Sequence, residues 1–301
     1  MNKGDGVAAY LEHLVVMSGL AVMLAISLDL AAGHAGLLSI AHAAFYGIGA
    51  YASAILTTQA GVGACCSALA GILMAVLLSA AISWPAARLH RDHFVIATFG
   101  LQIVVYNLFN NWQVTTGGSM GIGGIPRPHV CWWTLQSAGE FALLTSLVCA
   151  ISWLGSQRLL RSPWGRLLHA VREDEVLAQA LGKNATLIRV IVFGISCAVA
   201  ALAGSIYAHY ITYIDPTCFT VTDSVMVVAM VIVGGAGSRI GPVIGAISLV
   251  ALPEALRFVG LPQAAAANIR QVIFGALLVG MMMYRPRGLL GRYEFGTEET
   301  Q

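Results

Sequence analysis

Polar and apolar positions along this chain do not alternate; they fall into long blocks. No Asp, Glu, Lys or Arg occurs between Asp29 and Arg88, a gap of 58 residues. A membrane-crossing helix needs about 20 apolar residues, and each charge at its centre costs about 2.5 kcal/mol or more. The gap therefore holds two spans, near 36–57 and 64–84, joined by a turn at Gly61-Val62-Gly63, after a first span near 14–32. Further charge-free blocks run from His93 to Pro126, Phe141 to Gln157, Val190 to Ile214, Ser224 to Ser238, Ile240 to Pro253 and Gln271 to Tyr284. Nine spans result. Gly33, Gly36, Gly47 and Gly49 mark the second as broken or re-entrant, so the fold class is an all-α polytopic bundle of about 8–9 transmembrane helices.

Composition agrees with this pattern. The 301 residues are 58% hydrophobic and only 10% charged, whereas soluble domains average about 25% charged. A net charge of +2 with no run of basic residues argues against the clustered basic face that nucleic acid requires. The whole chain, 1–301, reads as one transmembrane domain, with a cytoplasmic polar segment at about 158–186 and an outer Gly-rich loop at about 113–137.

Basic residues orient it. Arg88 and Arg91, the six from Arg158 to Arg189, Arg239, and Arg285, Arg287 and Arg292 make 12 of the 16, and nine spans put all of them on one side. Lys and Arg accumulate on the cytoplasmic side, which places the C-terminus there and the N-terminus outside; Lys3, Arg127, Arg257 and Arg270 are the exceptions. The first twelve residues lack a cleavable signal pattern, so the first span is expected to be a retained anchor. The six cysteines have no C-x-x-C spacing and read as small apolar packing residues.

The segment RLLRSPWGRLLHAVREDEVLAQALGKNAT, 158–186, contains a helical pattern from Trp164 to Leu181, with Leu167, Leu168, Val171, Val176, Leu177 and Leu181 on one face. Ser162-Pro163 is the expected start and Gly182 the expected stop. Such an amphipathic helix either docks into a groove on a soluble partner or lies flat among lipid headgroups.

Within it, AVREDEVLAQALG (170–182) resembles the cytoplasmic coupling loop of ABC importer permeases, and in detail the branched-chain amino acid permeases. The likeness extends to SIAHAAFYGIGAY (39–51), TTGGSMGIGGIP (115–126), SPWGR (162–166), AGSIY (203–207), GGAGSRIGPVIGA (234–246) and RPRGLLG (285–291), in the family's order. The TTGG…GIGGIP block resembles the LivM type of the two permease subunits more than its LivH companion. The resemblance implies a permease fold of the type II importer class in a bacterial inner membrane, with Arg172, Glu173, Glu175, Ala178 and Gly182 coupling to an ATPase. It implies Ser39, His42, Phe45, Gln102, Thr116, Gly117, Gly118, Gly121, Gly234 and Gly235 as path or gate residues. Asp29 joins them because an ionisable group inside a membrane is a functional candidate by default. Asp29, His34, Leu37 and Ala41 stand where the family usually has Asn, Tyr, Gln and Gly; Gln102 and Gln179 stand where Glu is common. Implied partners are a second permease, two ATP-binding subunits and a periplasmic binding protein. The implied substrate is leucine, isoleucine or valine, with urea, short amides and aromatic acids as alternatives.

Other chemistry is missing. No G-x-x-x-x-G-K-[ST] loop occurs, since Gly182-Lys183 is followed by Asn184, so ATP and Mg are expected on partner subunits. Gly117-Gly118-Ser119-Met120-Gly121 matches the G-x-S-x-G nucleophile pattern but follows a membrane span in a Gly-rich loop, which predicts a flexible loop or gate. His90 and His93 lack the further ligands a metal needs. His209 reads as a structural or interfacial residue, and the Asn184-Ala185-Thr186 sequon is on the cytoplasmic side. Gly237, Gly241 and Gly245, four apart, predict close backbone packing at a tight turn, with Pro242 interrupting the face. An ion-driven transporter would need paired midplane carboxylates, and an intramembrane hydrolase a nucleophile and base on adjacent spans; Asp29 and Ser119 alone supply neither.

Overall fold

The computed structural model describes residues 3–86, 91–130, 133–135 and 137–257, with scattered positions between 272 and 290. Most of the predicted span at 271–284, Arg88, His90, Arg270 and most of the 285–291 block lie outside the described residues.

The chain folds as an all-helical bundle. Helix α1 (Lys3–Asp29) runs into a π-helical turn at Leu30–His34, and an irregular stretch follows to Ala41. Then come α2 (His42–Thr58), α3 (Ala64–Ala86), α4 (Arg91–Asn111) and the single turn α5 (Gln113–Thr116). A connecting segment carries strands β1 (Ile122–Gly123), β2 (His129–Val130) and β3 (Trp133–Thr134). Helix α6 (Ala138–Arg161) leads to the short pair α7 (Pro163–Glu173) and α8 (Glu175–Ala180), then α9 (Ala185–Ile211) and strand β4 (Tyr213–Ile214). Helices α10 (Val221–Gly234) and α11 (Gly241–Arg257) close the described part. Among the described residues, six helices are long and apolar enough to cross a membrane, α10 being counted with the 3-10 turn Pro216–Phe219 that leads into it; α2 and α11, at 17 residues each, are shorter.

Contacts at the helix ends sort the bundle. Tyr10 bonds Glu254 and His13 lies 2.9 Å from Tyr210, so the start of α1 meets the ends of α9 and α11. At the opposite end Asp29 bonds Gly237, and the Arg239 carbonyl accepts from Trp153 Nε1 at 3.0 Å. Arg158, Arg161, Arg166, Arg172, Lys183 and Arg239 belong to this second end, called here the basic end.

The core is the pair α2 and α9, which run parallel. Gly49 and Gly204 sit at their crossing: a Cβ on Gly49 would lie 2.0 Å from the Ala201 carbonyl oxygen, and one on Gly204 1.9 Å from that of Tyr46. Small residues let two backbones touch where no hydrophobic force separates protein from lipid. This corrects the expectation that Gly47 and Gly49 break the second segment. The break lies earlier, at 36–41, with Gly36 at φ +71°, and α2 is continuous from His42. Gly47 instead accommodates Phe109 and Phe219, part of an aromatic cluster in which Tyr51 and Phe109 stack at 4.2 Å.

The polar segment is also corrected. Trp164 to Leu181 is two helices, because Asp174 leaves helical geometry (φ −144°, ψ 102°) and caps α8 by accepting from Leu177 N–H at 2.9 Å. Leu168 and Val171 are buried, whereas Val176, Leu177 and Leu181 are 77%, 58% and 72% exposed, so these residues do not line one face. The predicted start and stop hold: Ser162 is extended, Pro163 opens α7, and Gly182 ends the segment at φ +76°. Pro242 does not interrupt a face; it is the second residue of α11, where a missing N–H is harmless.

Candidate functional site

A helix that starts inside a bundle brings N–H donors with no intrahelical partner, and burial makes each costly unless it is paired. Around the start of α2 the partners are side chains from far along the chain. Ala43 N–H donates to Ser224 Oγ at 2.9 Å and Ala44 N–H to Gln102 Oε1 at 2.8 Å. In the break itself, Ile40 N–H donates to Thr98 Oγ1 at 3.2 Å and Ala41 N–H to Ser39 Oγ at 3.2 Å. Gln102, wholly buried, also accepts from the Ser224 hydroxyl at 3.1 Å and donates to the Phe219 carbonyl at 2.9 Å. It thus ties α2, α4 and the start of α10 together.

His42 is the first residue of α2 and wholly buried. Its Nε2 lies 3.1 Å from Ser27 Oγ and 3.2 Å from Ser196 Oγ. The Ser27 hydroxyl donates to the Leu24 carbonyl, and the Ser196 hydroxyl to the Ser27 carbonyl. Both serine protons are therefore committed, so the shared proton belongs to His42 Nε2. Nδ1 is then a bare acceptor, and it has no partner among the described residues. Phe45 packs edge-on against Phe193 one turn further on.

Toward the opposite end a second chain of hydrogen bonds links α9 and α2. The Ser205 hydroxyl donates to Ser53 Oγ at 2.9 Å, Ser53 lies 2.9 Å from His209 Nε2, and His209 Nδ1 lies 2.8 Å from the Pro126 carbonyl. Because a carbonyl only accepts, His209 donates from Nδ1 and accepts at Nε2. His209 is thus the structural one of the two expected readings, a buried link between the bundle and the connecting segment.

That segment is pinned in place. Thr116 donates to the carbonyls of Phe109 and Trp112, at 2.7 and 2.8 Å. Strands β1 and β4 pair antiparallel, Ile122 opposite Ile214, and Tyr213 Oη donates to the Met120 carbonyl at 2.9 Å. Gly117, Gly118 and Gly121 all have positive φ, and a Cβ on Gly121 would lie 2.1 Å from the Ile214 carbonyl oxygen. The expected flexible loop is therefore hydrogen-bonded across the end of α9. Ser119 sits in a 3-10 turn, Gly118–Met120, that precedes a strand, not in the strand–turn–helix of a nucleophile elbow.

Asp29 lies at the basic end. One oxygen accepts from Gly237 N–H at 2.7 Å and the other is 3.5 Å from His34 Nε2, which fastens the π turn to the α10–α11 turn. Gly234 and Gly235 form the close of α10: a Cβ on Gly234 would lie 2.0 Å from the Gly241 carbonyl oxygen, and Gly235 has φ +102°. Of the path candidates, Ser39, His42, Phe45 and Gln102 come together at the start of α2. Thr116 and its glycines lie at one end, and Asp29, Gly234 and Gly235 at the other.

In the polar segment Glu173 and Gly182 are exposed and Ala178 is buried. Glu175 is engaged, at 2.7 Å, with Arg189, which is only 5% exposed, and it accepts from Gln179 at 3.2 Å. Arg172 is half-buried. Sequence reasoning passed over Ser27, Ser53, Ser196, Ser205, Ser224 and Arg189. The available signal was the hydroxyls inside apolar spans, which bond across helices or back to the preceding turn.

Residues 10–282 match a family model described as branched-chain amino acid transport system / permease component. The chain is 32% identical to the high-affinity branched-chain amino acid transport system permease protein LivM of Salmonella typhimurium, over 92% of this chain and 69% of the relative. It is 33% identical to LivM of Escherichia coli K12, over 89% and 67%. Identity to the LivH permease protein of Salmonella typhimurium is 27%, over 93% and 94%. No solved structure matches.

Proposed function

The chain belongs to the branched-chain amino acid transport permease family, and on that premise we propose that it is the LivM-type half of a translocation path for branched-chain or related small amino acids. It is a multi-pass membrane permease. In our reading a LivH-type permease completes the path, a periplasmic binding protein delivers the substrate, and two ATP-binding subunits hold ATP and Mg and supply the motion. The basic end faces the cytoplasm, as the distribution of Lys and Arg favours. The N-terminus is then outside and the C-terminus inside, in an inner membrane, with α2 and α11 counted among the spans. The bundle is of the type II importer class, and the chain forms one permease domain.

One observation carries the coupling role. Helix α8 buries only Ala178 while Val176, Leu177 and Leu181 stand exposed beside the basic end. An exposed apolar cluster on a short helix rimmed by Glu173 and Gln179 suits insertion into a groove of a soluble subunit. The earlier candidates then divide. Glu173 and Arg172 rim the contact, Gly182 lets the chain turn back into α9, and Glu175 positions α8 by holding Arg189. A path between the two permeases would open and close as the start of α2, with Ser39, His42, Phe45 and Gln102, shifts against the plug at Thr116–Gly121.

The test is a Leu177→Asp and Val176→Asp double variant, purified from its own membrane and reconstituted with its partners. The expected result is loss of substrate-stimulated ATP hydrolysis and of leucine uptake, with normal amounts of the permease in the membrane. Unchanged uptake with normal ATP turnover would sink the coupling role. Purification of the unaltered chain with no ATP-binding subunit would sink the importer reading itself.

A further inference from the structure

Helices α1, α6 and α11 enclose an almost wholly apolar groove of about 540 Å³, lined by Val15, Val22, Ile26, Cys149, Val243 and Ile247 among others. Along α1 it runs from Leu14 to Ile26, roughly 18 Å at about 1.5 Å per residue. That is close to one leaflet of a hydrocarbon core about 30 Å thick.

At the basic end the groove does not close. Ile26 and Trp153 are shared with a polar recess of only about 10 Å³, room for a water and not a phosphate, that also touches Asp29, His34, Gln157 and Arg239. This recess in turn shares His34, Gln157, Leu160 and Arg239 with one of about 90 Å³ that adds Arg161 and His169. Among the described residues Asp29 is the one carboxylate lining either recess, and its oxygens already face Gly237 N–H and His34. His34 is 5% exposed, and its Nδ1 is buried with no hydrogen-bond partner among the described residues.

We propose that this groove and the 90 Å³ recess beyond its basic end bind one anionic phospholipid of the leaflet there, its glycerol crossing the rim at Trp153 and Arg239. An acyl chain lies along α1 and α11, and the phosphate is held by Arg239 and Arg161. Trp153 sits at the join, where an amphipathic ring marks the boundary between hydrocarbon and headgroup. Guanidinium groups suit a phosphate because they donate in a planar fork, and basic pockets between membrane helices hold acidic headgroups. A free phosphate would use the same recess but would leave the apolar groove without a role.

The experiment uses the full chain in the complex that purifies with it, delipidated and then supplied with dioleoyl-phosphatidylglycerol, dioleoyl-phosphatidylcholine or inorganic phosphate. Bound lipid is counted by native mass spectrometry and protection by thermal unfolding. Phosphatidylglycerol is expected to bind at one molecule per chain and raise the melting temperature, with neither other probe doing so. The double variant Arg161→Gln/Arg239→Gln should weaken that binding about thirtyfold, the value for two arginines at a membrane surface. Ile247→Trp, at an exposed position of the groove wall, keeps the arginines and should weaken lipid binding while the protein remains folded.

Equal binding of the two lipids would overturn the proposal, since ordinary boundary lipid would explain it. Protection by inorganic phosphate that Ile247→Trp leaves unchanged would overturn it in favour of a free anion site. Crosslinking of an Ile247→Cys variant to another protein segment would assign the groove to protein. None of these readouts depends on transport, so they leave the permease assignment standing.

Discussion

Replacing Gly204 by Ala tests whether the α2–α9 crossing is held together by backbone contact. The added Cβ would lie 1.9 Å from the Tyr46 carbonyl oxygen and 3.0 Å from Ala50 N, where ordinary contacts begin at 3.4 Å. The atoms it meets are backbone, which cannot swing aside, so the helices must part by about 1.5 Å in a close-packed interior. Overpacking of this kind costs about 1–3 kcal/mol. Parting the helices also stretches Ser53 to His209, now 2.9 Å, and His42 to Ser196, now 3.2 Å, each worth about 0.6 kcal/mol in a membrane protein. Alanine returns up to about 1 kcal/mol of helix propensity. The net expectation is a loss of about 2 kcal/mol, roughly a thirtyfold fall in the folded-to-unfolded ratio. The assay is reversible unfolding in mixed micelles with increasing dodecyl sulfate, followed by tryptophan fluorescence. Gly100→Ala is the control, because nothing lies within 4 Å of the Cβ it adds on α4, and it should be neutral or stabilising. If Gly204→Ala moves with Gly100→Ala, the crossing is not in backbone contact and the packing argument fails.

Two further outcomes follow from the same geometry. Gln102→Leu leaves Ala44 N–H, the Ser224 hydroxyl and the Phe219 carbonyl without their shared partner; at about 1–3 kcal/mol for a buried group left unpaired, the melting temperature should drop by several degrees, and an unchanged value would mean that water reaches the start of α2. Gly121→Ala combines φ +68° with a Cβ 2.1 Å from the Ile214 carbonyl and should speed amide exchange at Ile122 and Ile214, whereas Gly124→Ala, at φ +72° with open space around it, should not.

The apolar helices were legible because absence of charge over long stretches has one physical meaning in a chain this hydrophobic. Ser162-Pro163 and Gly182 were legible because they act through their own backbone. The break before α2 was legible in Gly36 but its extent was not, since 36–41 is as apolar as its flanks and what stabilises it is Thr98, Gln102 and Ser224, remote in sequence. Gly49 reads alike as a breaker or a contact point until Gly204 is seen against the same helix. Asp174 reads alike as a surface residue or a cap, and only the cap turns Val176 and Leu177 outward. Glu175 looked free for a partner because nothing local announces Arg189. Of the site, the residues at the start of α2 were found by motif, but the serines that hold them were not, because a hydroxyl in an apolar span has a local backbone alternative.

The first turn of α2 has a consequence for how the protein is made. Ala43 N–H bonds a hydroxyl that lies 181 residues later in the chain. At about 5–20 residues per second, the ribosome takes roughly ten to forty seconds to reach it. Throughout that interval α2 has no completed amino end, and lipid offers none. The nascent segment must therefore wait beside the insertion machinery, or in a shallow wet position, until α10 arrives. Biogenesis of this permease is then expected to be sensitive to anything that shortens its stay there, and Ser224 to govern yield as well as stability.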